Sequence, residues 1–410
     1  MPARRIFHFL FLLLLLPVLI YLLQFNCRLY YSPEFGQTTD GRVNKTLLKQ
    51  LHFLRGALEA GAGKEMQNLY PEGFLFIHCL YGLAWYNALK SLSPESEIFQ
   101  DGLREITKTL VRVQSEDARA IFNRDLPLEY GAFYQGWTNY LLGRKLALQN
   151  PSARDTADVR LFRSNCRKIA AAYEAASSPY LASYTNGIWP ADNILCIAAL
   201  ALHDRLFQPE FRPLIPRWLE GVKLGLDPGT GLIPHEVSPN GETAGGARGS
   251  SQSLMLILLA EIDTAFAARQ FEIYLKHFLD YRFGLPGIRE YPEGAAGNGD
   301  IDSGPVICDI GGAASIVGIG AASRLGQPGL GIQIRNAVEG IALPLENAES
   351  KWYFTGKAPM ADAFLAWAHS LSPAPDPPES ENWRCTFHGW SLLASLCMLA
   401  FYRLLLRLTR

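Results

Sequence analysis

Between Arg289 and Ile307 the chain reads REYPEGAAGNGDIDSGPVI, which gathers Glu290, Glu293, Asp300 and Asp302 among four glycines. Two carboxylates one residue apart oppose each other's ionisation, so one keeps its proton to higher pH and the pair offers an acid beside a base. Asp192 in GIWPADN follows Trp189 and Pro190. Proline suits a first helical position, so Asp192 reads as a first-turn acid or as a proton-transfer group beside an aromatic wall. His235 in IPHEV adds an imidazole in a long loop, and Arg248 in GGARGSS adds a guanidinium that pairs with a carboxylate or clamps an anionic substrate. The candidates for catalysis are therefore Asp192, Asp302, Asp300 and Glu290. The candidates for substrate binding are Trp189, Tyr184, His235, Arg248, Glu293, Tyr130 and Trp352. A calcium loop is the weaker reading of GDIDSGP, because the fuller D-x-D-x-D-G spacing is missing.

Composition narrows the function classes. The 410 residues carry a net charge of -1, which leaves no basic stripe for nucleic acid. The seven cysteines are scattered without close pairs, and neither a zinc-type ligand spacing nor a Walker loop occurs. No metal and no cofactor is expected, and no protein partner is indicated. The partner to expect is a small molecule or a saccharide.

The elements that must position these residues read as helix after helix. Apolar residues recur at i, i+3, i+4 and i+7, and alternating strand patterns are scarce. Twelve helices are expected, near 46–60, 74–92, 97–115, 129–147, 159–177, 191–206, 211–225, 248–262, 263–283, 305–325, 329–343 and 359–371. The loops rich in Gly, aromatics and acids (NLYPEG, RDLPLEYGAFYQG, SYTNGIWPADN, IPHEVSPNGETAGGARGSS, REYPEGAAGNGDIDSGP, KWYFTGKAPMAD) all precede even-numbered helices. If six helical hairpins close into an all-α (α/α)6 toroid, the even helices run parallel and these loops share one rim. Free N–H groups and positive dipole ends then face one cavity. Cys79, Cys196 and Cys308 fall within even helices and read as small buried hydrophobes.

The ends carry a different signal. Arg4 and Arg5 precede an apolar run from Ile6 to about Phe25, long enough for a bilayer span. Residues 1–27 are expected to form a transmembrane anchor, and 28–372 the toroid domain. A Pro-rich linker follows at 373–384, and a second transmembrane helix at 385–410 ends in Arg403, Arg407 and Arg410. Positive charge at both outer ends puts both termini in the cytoplasm. The domain would then face the periplasm or exterior from the inner membrane.

The stretch from LEYGAFYQGWTNYLLGRKL through NGIWPADNILCIAALALHDRLF to LGLDPGTGLIPHEV, roughly residues 128–237, resembles the linalool dehydratase/isomerase family. The counterparts of that family's PDN segment, catalytic Cys and aromatic-Asp-Arg-Leu run are PADN with Asp192 and Asn193, then Cys196, then His203-Asp204-Arg205-Leu206. The resemblance implies an (α/α)6 fold, a pocket at its mouth and cofactor-independent lyase or isomerase chemistry on a small alcohol. Here Cys196 stands closer to the DN pair than in the family, and an ungapped alignment puts Asp192 in the place of the catalytic Cys. Phe133 or Tyr134 stands where the family has a His. The same scaffold also looks like that of glycosidases, polysaccharide lyases and sugar epimerases, so a carbohydrate-active enzyme is the alternative. A non-catalytic envelope binding module is a third reading.

Overall fold

The computed structural model describes residues 2–38, 41–301, 303–372 and 383–408. Its helices are α1 (Pro2–Arg28), α2 (Lys45–Glu59), α3 (Ala62–Leu69), α4 (Gly73–Leu89), α5 (Glu97–Val113), α6 (Glu116–Arg119), α7 (Gly131–Leu148) and α8 (Thr156–Ala175). Then follow α9 (Pro190–Leu206), α10 (Leu214–Leu224), α11 (Gly249–Ile262), α12 (Thr264–Phe278), α13 (Gly312–Arg324), α14 (Pro328–Ile341), α15 (Pro359–Ser370) and α16 (Trp383–Leu408). Five antiparallel two-stranded hairpins punctuate them: β1–β2 (Phe35–Thr38, Gly41–Asn44), β3–β4 (Glu236–Val237, Thr243–Gly245), β5–β6 (Leu279–Arg282, Leu285–Ile288), β7–β8 (Val306–Ile307, Ile310–Gly311) and β9–β10 (Leu345–Glu346, Lys351–Trp352).

Six helices form an inner set. α4 packs on α7, α7 on α9, α9 on α11, α11 on α13 and α13 on α15, and α15 returns to α4. Sequence composition explains why these helices lie inside: 13 of the 17 residues of α4 are buried, against 7 of 17 in its outer neighbour α5. A helix apolar all round must be covered on every side. α2, α5, α8, α10, α12 and α14 bury one face against this set. Asn44, Ser96, Asp155 and Asp263 cap the outer helices α2, α5, α8 and α12 through their own side chains. None of the residues preceding the inner helices (Glu72, Tyr130, Trp189, Arg248, Gly311, Ala358) does so.

The twelve expected helices are present, with two corrections. The helix expected over 263–283 stops at Phe278, because Gly284 and Pro286 are poor helix formers and the chain turns into β5–β6. Phe283 (φ 55°) and Gly284 (φ 84°) make the two-residue turn, both with the positive φ of a type I′ hairpin. The helix expected from 305 starts at Gly312, because β7–β8 intervenes. Cys308 therefore lies exposed in that hairpin turn at φ 50°, while Cys79 and Cys196 are buried as expected. Of the expected linker 373–384, residues 373–382 lie outside the described residues, and Trp383 and Arg384 already belong to α16, which starts two residues before the expected 385.

Two helices are long and apolar enough to cross a membrane, over Phe11–Arg28 of α1 and Trp383–Arg407 of α16. They pack on each other, with Phe25 stacked on Phe387 at 4.4 Å and Phe11 on Tyr402 at 5.5 Å. Leu29 carbonyl oxygen accepts from Asn336 Nδ2 at 3.0 Å and Arg384 Nε at 2.7 Å, which ties the end of α1 to α14 and α16.

At the C-terminal ends of the inner helices one carboxylate faces three guanidinium groups. Glu261 of α11 meets Arg144 of α7, Arg205 of α9 at 3.1 Å and Arg324 of α13 at 3.2 Å. Burial opposes its ionisation, but the arginines hold its pKa below the ordinary value. Removing one partner of a buried ion pair leaves unpaired charge behind. Glu261→Ala should therefore lower the unfolding free energy by roughly 3–5 kcal/mol, read by urea titration. An unchanged midpoint would mean that the cluster is ornamental.

Candidate functional site

A cavity of about 420 Å³ opens among the N-terminal ends of the six inner helices. Each helix offers one face of its first turns, since residues three or four apart lie together on a helix. Phe76 comes from α4, Phe133 and Trp137 from α7, Leu254 from α11, Val317 from α13 and Phe364 from α15, and these make an apolar half. The other half is polar. It holds Asp192 in the first turn of α9, Ser250 and Ser251 of α11, His235 and Glu236 at the start of β3, Arg248 before α11, and Asp300 with Ser303 ahead of α13. Glu72, before α4, closes the circuit.

The polar half is wired through Arg248. Its Nε donates to Glu290 Oε1 at 2.8 Å, and its Nη1 donates to Asp300 Oδ2 at 2.5 Å. Nη1 also lies 3.4 Å from His235 Nε2, while the buried Nη2 has no hydrogen-bond partner among the described residues. His235 Nδ1 is 2.6 Å from Ser251 Oγ. With a guanidinium facing Nε2, the ring proton sits on Nδ1, which donates to Ser251, and Nε2 keeps its lone pair. Glu290 also accepts from Ser250 N at 3.2 Å and Ser250 Oγ at 2.8 Å, so it caps α11 from another segment. Gly249 makes that approach possible: a Cβ there would stand 1.9 Å from the Arg289 carbonyl oxygen, while Gly249 N donates to Glu290 O at 2.9 Å.

These contacts set the protonation states. Burial works against the Asp300 anion, but the Arg248 hydrogen bond and the Ser303 amide bring its pKa down to about 2. Burial, reinforced by the Arg248 charge, pushes His235 down to about 4. Burial pushes Glu290 upward, against the pull of Arg248 and Ser250. At neutral pH the cavity therefore presents a neutral imidazole beside a fixed anion.

Of the residues singled out in the sequence, Asp192, Asp300, Trp189, Tyr184, His235 and Arg248 come together on this cavity. Glu290 does not line it; it is 0% exposed behind Arg248 and acts by positioning that guanidinium. Glu293 is exposed and lies off the cavity. Tyr130 stands at φ 68° before α7, its ring 5.4 Å from Tyr134 and away from the lining. Trp352 stacks on Phe53 at 5.8 Å, on the α2 side. Asp302 lies outside the described residues. Glu72, Phe76, Ser250, Ser251, Leu254, Ser303, Val317 and Phe364 were not singled out. The available signal was positional: the first two turns of every even helix, on the face shared with Asp192.

His235 gives a pH test with a definite sign. Its unfolded pKa is about 6.5 and its folded value is about 4. Between those values the unfolded chain binds a proton that the folded chain refuses. This group therefore makes stability fall as pH drops through that window and contributes no pH dependence above it. Thermal melts should show wild type losing stability relative to His235→Gln between those pH values. Parallel curves would show that the imidazole is not held neutral.

Comparison with protein-family models and with curated proteins gives no match to this chain.

Proposed function

We propose that the chain is a membrane-anchored enzyme of the (α/α)6 toroid type, working without a cofactor as a lyase or isomerase on a small amphipathic alcohol. The observation that carries this reading is the division of the cavity into an apolar half and a polar half, at the point where all six inner helices begin. The closed cycle of inner-helix contacts supports the toroid. The likeness to linalool dehydratase/isomerase around Asp192 supports the substrate class, although fold likeness alone does not carry function.

The hydrocarbon part of an alkenol fits against Phe76, Phe133, Trp137, Leu254, Val317 and Phe364, and its hydroxyl then falls among Asp192, His235 and Arg248. Loss of water needs a proton on the hydroxyl oxygen as the C–O bond breaks. It also needs removal of a proton from the adjacent carbon as the C=C bond forms. Asp192 is assigned one transfer and the Nε2 lone pair of His235 the other. The spare N–H of Arg248 orients the hydroxyl oxygen. Return of the hydroxyl to another carbon would give isomerisation instead. A saccharide is the second reading, favoured by the Tyr184 and Trp189 rings, whose centroids lie 5.3 Å apart at the mouth and offer flat faces to a sugar.

The test is turnover by the full chain of linalool-type alkenols and, separately, of oligosaccharides, with products identified by mass spectrometry. Asp192→Asn should keep the helical circular dichroism and lose activity by about 10²–10⁴-fold, the usual contribution of a positioned proton-transfer group. Unfolding of that variant would make Asp192 a structural acid. Turnover of the oligosaccharides alone would move the assignment to a carbohydrate-active enzyme, and binding without turnover to a binding module.

The two terminal helices are read as spans of the inner membrane, with the domain facing the periplasm or exterior. Arg4 and Arg5 at one end and Arg403 and Arg407 at the other support that orientation. A reporter active only in the cytoplasm, fused after Arg410, should be active; silence there would remove the second span.

A further inference from the structure

The edge of the domain beside α1 and α16 holds bulky apolar side chains outward on short, tight connections. Phe283 in the β5–β6 turn is 57% exposed at φ 55°, a left-handed conformation that favours glycine and is unusual for an aromatic residue. Its ring lies 6.2 Å from that of Trp390 of α16, itself 51% exposed. The neighbouring Gly284 sits so close that an added Cβ would stand 2.5 Å from Thr386 Cβ. Leu343, after α14, repeats the pattern at φ 48° and 42% exposed, and with Leu345 it shares a crevice of about 150 Å³ with Tyr21, Gln24 and Arg28 of α1. On β7–β8, Ile307 is 63% exposed, and Asp309 of that turn is bonded to Arg282 of β5 at 2.7 Å.

The depth of these contacts matters. Trp390 lies seven residues into α16 from Trp383, and Tyr21 lies seven residues before the end of α1 at Arg28. At 1.5 Å per residue, each is roughly 10 Å inside its helix. The domain therefore reaches alongside both apolar helices and does not stop at their ends. Exposed bulky apolar side chains gathered together mark a partner or a membrane, and here Phe283 and the Leu343 crevice lie against the two helices long and apolar enough to cross one.

We propose that the β5–β6 and β7–β8 turns and the α14–β9 loop form a membrane seat, immersed in the interfacial layer of the bilayer that α1 and α16 cross. This rests on the reading that those two helices span. The occupant is lipid, with headgroups meeting Arg282 and Asp309 and upper acyl chains meeting Phe283, Leu343 and Ile307. The segment that carries Asp300 and Ser303 to the cavity continues directly into β7–β8. The seat thus sets the cavity mouth close to the lipid surface, where a poorly soluble alcohol accumulates.

The test uses the full chain in phosphatidylcholine nanodiscs, with the exposed Cys27, Cys308, Cys385 and Cys397 changed to Ser. Single spin labels go on Phe283→Cys, Ile307→Cys, Leu14→Cys in α1 and Val111→Cys on the outer face of α5. Collision with oxygen and with a water-soluble nickel chelate is read by electron paramagnetic resonance. The seat predicts that labels at 283 and 307 are reached by oxygen and shielded from nickel, as at 14, while 111 is open to nickel. If 283 and 307 are open to nickel while 14 is shielded, the seat is wrong and the spans stand. If 14 is also open, the spans fail and the seat falls with them. Two labels on separate hairpins keep the test valid if one variant misfolds.

Discussion

Glu290 is wholly buried, and a carboxylate removed from water must find hydrogen-bond donors or give up its charge. It finds them at the start of α11: the Ser250 amide, the Ser250 hydroxyl and Arg248 Nε. Capping the helix and fixing the guanidinium are thus one act. Once Arg248 is fixed, its Nη1 sets the positions of both Asp300 and His235; its hydrogen bond holds Asp300 ionised, while burial, reinforced by its charge, keeps His235 neutral. The polar half of the cavity depends on this pairing. The glycine at 249 lets the segment carrying Glu290 come close enough to make it.

The inner helices have chemically opposite ends. At their N-terminal ends, where N–H groups are unpaired and the dipole is positive, stand Glu72, Asp192, Glu290 and Asp300. At their C-terminal ends stand Arg144, Arg205 and Arg324 around Glu261. Each set of charges suits the dipole it meets, so neither end is a random scatter of surface residues. The difference lies in closure. Three arginines gather on one largely buried carboxylate at one end, whereas the acid-rich end leaves space for a ligand. The cavity thus opens at the end where the inner helices begin.

Twelve helices were legible because their apolar period is long and repeated. Asp192, Trp189, Tyr184, His235, Arg248 and Asp300 were legible as cavity residues because their loops fall before alternate helices. The limits are local. A two-residue turn such as Phe283-Gly284 contributes little to a helical period, so β5–β6 was absorbed into the preceding helix. The turn at Cys308 was lost in the same way, and with it the exposure of that thiol. Glu290 looked catalytic because acids in a glycine-rich loop do; only the fold shows it buried behind Arg248. Tyr130 and Trp352 were placed by proximity to rim loops, but side-chain direction decides what a residue faces, and their rings turn to Tyr134 and Phe53. Phe76, Val317 and Phe364 were hidden for the opposite reason. In sequence an apolar residue on a buried helix does not reveal whether it meets another helix or a void.

The neighbours Asp192 and Asn193 face different surroundings at the start of α9. Asn193 is wholly buried, and its side chain uses every bonding position. Its Oδ1 accepts from Leu181 N at 2.7 Å and Tyr173 Oη at 2.6 Å, and its Nδ2 donates to the carbonyl oxygens of Leu181 and Trp189, each at 3.0 Å. Those four bonds fasten the start of α9 to the loop that precedes it and to α8. One residue earlier on a helix means a turn of about 100°, so Asp192 points elsewhere and lines the cavity. A first-turn acid is ordinarily read as a cap or dipole partner. Here the fastening of the helix start is done by Asn193, and Asp192 lines the cavity.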